Sequence, residues 1–196
     1  ARVAVRSSLT ERRWSAGVEF GVDLDEFHAF NQHRVACWPH AMNASATHDT
    51  KRGEDVRARL NVLSEVPAEW ERLVREWHEI NRPRKVQTGG RLAPENDDEY
   101  LLYQTLLGAY PLDLTEYPAF VGRIKDYLIK ATREAKVHTN WLEPDGAYED
   151  ALLAFAERVM EPGQDNPFLQ SFLPFQRRVQ HHGILNSLGQ TLLKLT

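Results

Sequence analysis

The sequence predicts a mainly α protein that contains one isolated β-strand. Apolar residues recur at helical spacing in most segments after residue 23, and Pro or Gly separates these segments. Residues 42–47, MNASAT, break the pattern with small and hydroxyl side chains and are predicted to form one short buried strand. Because a lone strand cannot satisfy its backbone hydrogen bonds, either its partners lie outside this chain or the strand assignment is mistaken.

Two helices flank the predicted strand. Asp23 and Glu26 have the spacing of a capping box, so a helix is predicted to begin there, and Pro39 ends it. After the strand, helical periodicity resumes over residues 53–65. Gly53 is the predicted N-cap of this second helix, and the acidic residues that follow it suit the positive end of the helix dipole.

The remaining segments are also predicted to be helical. Their periodic stretches are residues 67–80, 96–110, 118–137, 143–160 and 167–196. Residues 82–96, RPRKVQTGGRLAPEN, are predicted to be a long loop punctuated by Gly and Pro. Asn96 and Glu99 are predicted to form another capping box.

Composition argues against several classes of protein. The net charge of −4 disfavours a general binder of nucleic acid or of membrane surfaces, because such binding depends on clustered positive charge. No apolar run reaches the ~20 residues needed to span a bilayer. Cys37 is the only cysteine, so an internal disulfide is impossible and a reducing compartment is favoured. We therefore expect a cytoplasmic protein without nucleic-acid or membrane partners.

A His48-Asp49 pair follows the predicted strand directly. The pair could supply a catalytic carboxylate at a strand end, could bind a metal ion, or could form a polar turn in which Asp49 only caps the backbone. The dipeptide alone favours the third interpretation.

Five blocks of sequence carry a more specific signal. In chain order they are DEFHAFN (25–31), WPHAMNASATHDTKRGEDVRARLNVLSE (38–65), EYLLYQTLLGAYP (99–111), IKDYLIKATREAKVHTNWLEP (124–144) and FLPFQRRVQHHGILNSLGQTLLKLT (172–196). Together they resemble the maltooligosyl trehalose synthases, which are (1→4)-α-D-glucan 1-α-D-glucosylmutases of the α-amylase superfamily. The similarity runs from about Phe20 to Thr196, so the chain resembles an internal fragment of such an enzyme.

The resemblance implies a division of the chain. Residues 1–22 are a poorly defined lead-in, and residues 23–52 hold a helix and the seventh strand of a (β/α)8 barrel, which ends in the His-Asp pair. Residues 53–173 form a helical insertion domain, and residues 174–196 form the barrel helix before the eighth strand. The expected fold is therefore mainly α, a helical insertion domain with one strand and one helix that belong to a barrel.

The same resemblance implies a reaction. The family converts the terminal α-1,4 bond of maltooligosaccharides to an α,α-1,1 bond by retaining glycoside chemistry, without a cofactor or metal. Asp49 would be the third carboxylate, which stabilises positive charge on the sugar ring, and His48 would bond a hydroxyl of that sugar. Because the nucleophile and general acid lie in motifs absent here, we expect the chain alone to be inactive and to need the rest of the barrel.

Lys51 and Arg52 are further candidates, either for binding substrate hydroxyls or for holding an active-site carboxylate. An ion pair with Glu54 or Asp55 is an equally good interpretation of either residue. Core burial is the expected role of the tryptophans, above all of Trp70 and Trp77, and Trp38 and Trp141 are the better candidates for stacking against sugar.

Two other functions compete with this one. An all-helical phosphohydrolase would use the His-Asp pair together with His28 or His33 to hold a divalent metal. His181 and His182 suit that role poorly, because adjacent side chains on a helix diverge by about 100°. The second rival is a helical scaffold or interaction module without catalysis.

Overall fold

The computed structural model describes residues 23–42, 44–48 and 50–195, and most of them are helical. These ranges contain α1 (Leu24–Cys37), α2 (Glu54–Asn61), α3 (Pro67–Asn81), α4 (Asn96–Ala109), α5 (Tyr117–Ala135), α6 (Gly146–Met160) and α7 (Pro167–Leu195). Short 3₁₀ turns lie at Val62–Glu65, Arg82–Arg84 and Leu114–Glu116. The mainly α prediction is confirmed. No helix in the described part of the chain is long and apolar enough to cross a membrane.

The segment predicted to be a buried strand has a different structure. Met42 is 97% exposed, and residues 44–47 form no strand, while Asn43 lies outside the described residues. The segment ends in a turn, in which the Thr47 amide donates to Thr50 Oγ1 (2.8 Å) and the Thr50 amide donates to the Thr47 carbonyl (3.1 Å). The prediction of a strand at residues 42–47 is therefore wrong for this chain. No described strand lies beside this segment to share hydrogen bonds with it.

A β-hairpin replaces part of the predicted loop. Strands β1 (Val86–Thr88) and β2 (Arg91–Ala93) pair antiparallel. Gly89 and Gly90 join them with φ of 57° and 79°, a region that glycine enters without a steric penalty. Two positive φ values in a two-residue turn match the right-handed twist of the strands, so the Gly-Gly pair is the sequence signal of the hairpin.

The predicted helix caps have mixed outcomes. Asp23 Oδ1 accepts a hydrogen bond from the Glu26 amide at 2.8 Å, which confirms this start of α1. Gly53 is the N-cap of α2, as predicted. The predicted capping box of Asn96 and Glu99 is wrong. Glu95, not Asn96, is the N-cap of α4, and the Glu99 side chain is buried.

The core surrounds Trp77, which is fully buried. Its indole meets the rings of Tyr103 on α4 and of Phe168, Phe172 and Phe175 on α7. Trp70 is also buried, so the core prediction for both tryptophans is confirmed. Core burial is wrong for Trp38 and Trp141, because these residues are 61% and 54% exposed.

The long helix α7 has two unlike halves. Its first half fills the core, whereas several large apolar side chains of its second half are exposed, namely Ile184, Leu185, Leu188, Leu192, Leu193 and Leu195. The helix is continuous through Pro174, where the barrel helix was predicted to begin. Helix α1 buries none of its residues, and its Leu24, Phe27 and Phe30 are exposed in the same way.

Close contact between α2 and α7 depends on Gly183. A Cβ atom at this position would lie 2.5 Å from Arg59 Cγ and 2.8 Å from Arg59 Cα. The Arg59 side chain cannot easily move away, because its Nη1 donates to the carbonyls of Gly108 (3.1 Å) and Tyr110 (2.9 Å).

We therefore expect Gly183→Ala to lower the free energy of unfolding by about 1–3 kcal/mol. The matched control is Gly122→Ala in the second turn of α5, where an added Cβ would meet nothing within 4 Å. That change should stabilise the protein by about 0.5–1 kcal/mol, because alanine loses less entropy in a helix. Urea unfolding measures both effects, and equal stability of the two variants would contradict the proposed close contact.

Candidate functional site

The predicted site lies in the turn between α1 and α2. His48 is exposed there. Asp49, the predicted catalytic carboxylate, lies outside the described residues, so its role stays a prediction. The neighbouring segment is bound to the start of α2, because Arg57 Nη2 donates to the Ser45 carbonyl and Ser45 Oγ donates to Glu54.

Lys51 and Arg52 have partners other than those predicted. Lys51 Nζ forms an ion pair with Glu134 at the end of α5, at 3.0 Å. Arg52 is 6% exposed, and its Nη2 donates to Gln104 on α4 at 3.3 Å. Its Nη1 has no hydrogen-bond partner among the described residues.

The two acidic residues weighed as ion-pair partners bond elsewhere. Glu54 accepts from Lys194 Nζ at 2.5 Å, and Asp55 accepts from Ser187 Oγ at 2.5 Å, both on α7. The predicted pairing with Lys51 or Arg52 is therefore wrong. Gln104 and Glu134 are residues that sequence reasoning missed, and no local pattern identifies them, because both contacts join segments far apart in the chain.

A rigid loop begins at the same end of α5. Arg133 donates to Glu149 on α6 through two hydrogen bonds, Nε to Oε1 at 2.8 Å and Nη2 to Oε2 at 2.7 Å. Thr139 Oγ1 donates to the same carboxylate at 2.5 Å. The two hydrogen bonds between Arg133 and Glu149 have opposite effects on the two groups. They hold the pKa of the Glu149 carboxyl below its usual value and raise the pKa of the Arg133 guanidinium. Both groups are therefore charged at neutral pH.

The loop presents an aromatic ring. The guanidinium carbon of Arg133 lies 5.0 Å from the centroid of the Trp141 ring, within cation–π range. Asn140 Oδ1 accepts hydrogen bonds from the amides of Leu142 and Glu143, both at 2.9 Å, which fixes the backbone on either side of the ring.

A buried cluster anchors the other end of the loop. The Tyr148 hydroxyl donates to Asp98 on the first turn of α4, and the rings of His138 and Tyr148 lie 4.5 Å apart. Burial raises the pKa of Asp98, and burial together with the nearby carboxylate raises the pKa of Tyr148.

A third polar cluster lies beneath a groove of about 640 Å³ between α3 and α4. Glu99, 2% exposed, bonds His78 Nδ1 (2.7 Å), Lys85 Nζ (2.8 Å) and the Tyr103 hydroxyl (2.6 Å). The Lys85 side chain is only 3% exposed, so this ion pair is fully buried. Burial and the Glu99 charge raise the pKa of Tyr103, which keeps its hydroxyl protonated.

The histidines of the rival metal site belong to no metal-binding cluster in the described part of the chain. Within the described residues, no group of three or more His, Cys, Asp or Glu side chains could hold a metal ion. His33 lies against the thiol of Cys37 and the ring of Trp38 on exposed α1. The rings of His181 and His182 contact each other edge to face, with centroids 5.2 Å apart.

Known proteins similar to this chain belong to the class of trehalose-forming synthases. No family model matches the chain. A Mycobacterium tuberculosis protein assigned as a maltooligosyl trehalose synthase is 34% identical over 177 residues, which are 90% of this chain and 21% of that protein. The crystal structure of a maltooligosyl trehalose synthase matches with a TM-score of 0.72 at 35% identity, over 89% of this chain and 22% of that one.

A solved glycosyltrehalose synthase gives a TM-score of 0.70 at 41% identity, over 90% of this chain and 22% of that one. The resemblance to maltooligosyl trehalose synthase predicted from the five sequence blocks is therefore confirmed. The chain spans about a fifth of the length of the relatives that it matches.

Proposed function

We propose that this chain is one segment of a trehalose-forming glucosylmutase, an intramolecular transferase of the α-amylase superfamily. Its substrate is a maltooligosaccharide whose terminal α-1,4 bond becomes an α,α-1,1 bond. The observation that carries the proposal is the extent of the match: sequence and backbone follow synthases of this kind over about nine-tenths of the chain. The protein in which this segment is completed to the relatives' length is called the full-length synthase below.

Asp49 has the electrostatic role in this proposal. Retaining glycoside chemistry needs a nucleophilic carboxylate and a general acid, and a further carboxylate stabilises the positive charge that develops on the sugar ring. Asp49 is that further carboxylate, and His48 bonds a hydroxyl of the same sugar. Lys51 and Arg52 lie close to it in sequence and either bind the substrate or hold the segment against α4 and α5.

Exposed apolar surface supports the need for the rest of the barrel. Helix α1 and the second half of α7 present large apolar side chains to solvent, and apolar helix faces of this kind are normally covered. In the proposal the covering element is the remainder of the (β/α)8 barrel. In the proposal residues 42–47 become its seventh strand, because the neighbouring barrel strands supply the hydrogen bonds that the described part of this chain does not.

The proposal predicts that the 196-residue chain alone forms no trehalose-ended product from maltopentaose, because two of the three required carboxylates lie outside it. The full-length synthase should form that product under the same conditions. Chromatography of the reaction mixtures distinguishes the two outcomes. Product from the purified chain alone would contradict the assignment of the missing carboxylates, and an inactive full-length protein would contradict the proposed function.

A further inference from the structure

Trp141 has the geometry of a binding surface rather than of a core side chain. The ring is 54% exposed although tryptophan is among the most apolar residues, and the Arg133 guanidinium covers one of its faces. A flat ring with one face supported and the other open can accept the apolar C–H face of a sugar. We infer that Trp141 is a stacking platform for a glucosyl residue of an α-1,4-linked chain, and that Arg133 is its positioning residue.

The support beneath the ring is held by three hydrogen bonds to one carboxylate. The two hydrogen bonds from Arg133 to Glu149 fix the plane of the guanidinium, and the buried Thr139 fixes the same carboxylate. A ring in contact with a guanidinium held in this way loses little further freedom when a ligand binds, and such preorganisation favours affinity. A loop tryptophan with only a packing role would not need the hydrogen-bonded group of Arg133, Glu149 and Thr139 beneath an exposed ring.

The platform and the segment of the proposed active site are attached to the same end of α5. Lys51 bonds Glu134, the residue that follows Arg133, so both segments meet the same end of α5. The active-site segment and the loop that carries Trp141 also contact α4 at positions close to each other. Arg52 bonds Gln104, whereas Tyr148, just beyond the loop, bonds Asp98, and these two positions are about 9 Å apart along the helix axis.

The platform would contact a different sugar from the one near Lys51. Adjacent side chains on a helix diverge by about 100°, so Arg133 and Glu134 direct Trp141 and Lys51 to different sides of the end of α5. The inference rests on the proposed function and adds a second point of contact with the glucan. It predicts that Trp141 matters for long substrates and little for short ones.

The test is the kinetics of Trp141→Ala in the full-length synthase, measured with maltotriose and with maltoheptaose. For maltoheptaose the KM should rise about tenfold while kcat stays within about twofold, because a stacked ring contributes to binding in ground and transition states alike. For maltotriose both constants should stay within about twofold. Trp141→Phe, which keeps a smaller platform, should recover part of the maltoheptaose KM.

The matched control is Leu142→Ala, the next residue of the loop, which is 93% exposed and has no ring. It should leave both KM values unchanged, and all variants should keep their melting temperature. An unchanged maltoheptaose KM in Trp141→Ala would overturn the inference and leave the proposed function intact. Equal losses of kcat/KM with maltotriose and maltoheptaose would also overturn the inference, since they would indicate a structural role for Trp141. An inactive wild-type protein would overturn the proposed function and this inference with it.

Discussion

Asp49→Asn in the full-length synthase is expected to lower turnover by at least about 100-fold and to leave stability little changed. Asparagine keeps the shape and most of the hydrogen bonding of the carboxylate. It removes the negative charge that, in the proposal, stabilises the positive charge on the sugar ring, and the charge on the ring is largest in the transition state. The loss should therefore appear mainly in kcat rather than in KM.

Asp55→Asn is the control for this change, because it removes the same charge six residues further along the chain. Asp55 lies in the first turn of α2 and accepts a hydrogen bond from Ser187 Oγ. An acid at that end of a helix contributes only about 0.3–1 kcal/mol to stability, so turnover should be almost unchanged. Turnover and melting temperature should be compared for both variants. Near-normal activity of Asp49→Asn would show that Asp49 only caps the turn.

The largest expected effect on stability belongs to Glu99→Gln, measured by urea unfolding of the 196-residue chain. The substitution keeps an acceptor for the Tyr103 hydroxyl but leaves the buried Lys85 ammonium without its counter-charge. Removing one partner of a buried ion pair costs about 3–5 kcal/mol, because an uncompensated charge stays in a region of low dielectric.

Glu71→Gln is the matched control, since Glu71 pairs with Arg75 at the surface, where the two side chains are 66% and 77% exposed. Glu71→Gln should lower the free energy of unfolding by no more than about 0.5 kcal/mol. Adding Lys85→Met to Glu99→Gln removes the buried charge and should recover part of the stability. If Glu99→Gln is no less stable than Glu71→Gln, the buried pair is not what stabilises the contact between α4 and Lys85 at the start of the hairpin.

Much of the helical structure could be predicted because the relevant forces act locally. Apolar periodicity located α3 and α5, and the spacing of Asp23 and Glu26 located the start of α1. The Gly-Gly turn of the hairpin carries an equally local signal, but the nearby prolines Pro83 and Pro94 favour a loop over the same residues.

Features that depend on distant segments could not be predicted. The spacing of Asn96 and Glu99 fits a capping box, yet burial against Lys85 and Tyr103 determines where the Glu99 side chain points. For the same reason, the partners of Lys51 and Arg52 could not be inferred from the charges next to them in sequence. The role proposed for Asp49 rests on the resemblance to a known family, because neither composition nor periodicity indicates such a role.

The packing of α2 against α7 has a consequence for the order in which the protein folds during synthesis. Asn186 Nδ2 bonds the Ala58 carbonyl across a separation of 128 residues, and Gly183 allows the two backbones to meet. A growing chain emerges from the ribosome starting at its N-terminus, so α2 leaves long before α7 exists. The turn that carries His48 is attached to α2 and acquires its final support only when α7 has been made. Trp77 on α3 also lacks the rings of α7 until then, so the core and the proposed active-site segment reach their native geometry together, after α7 has been made.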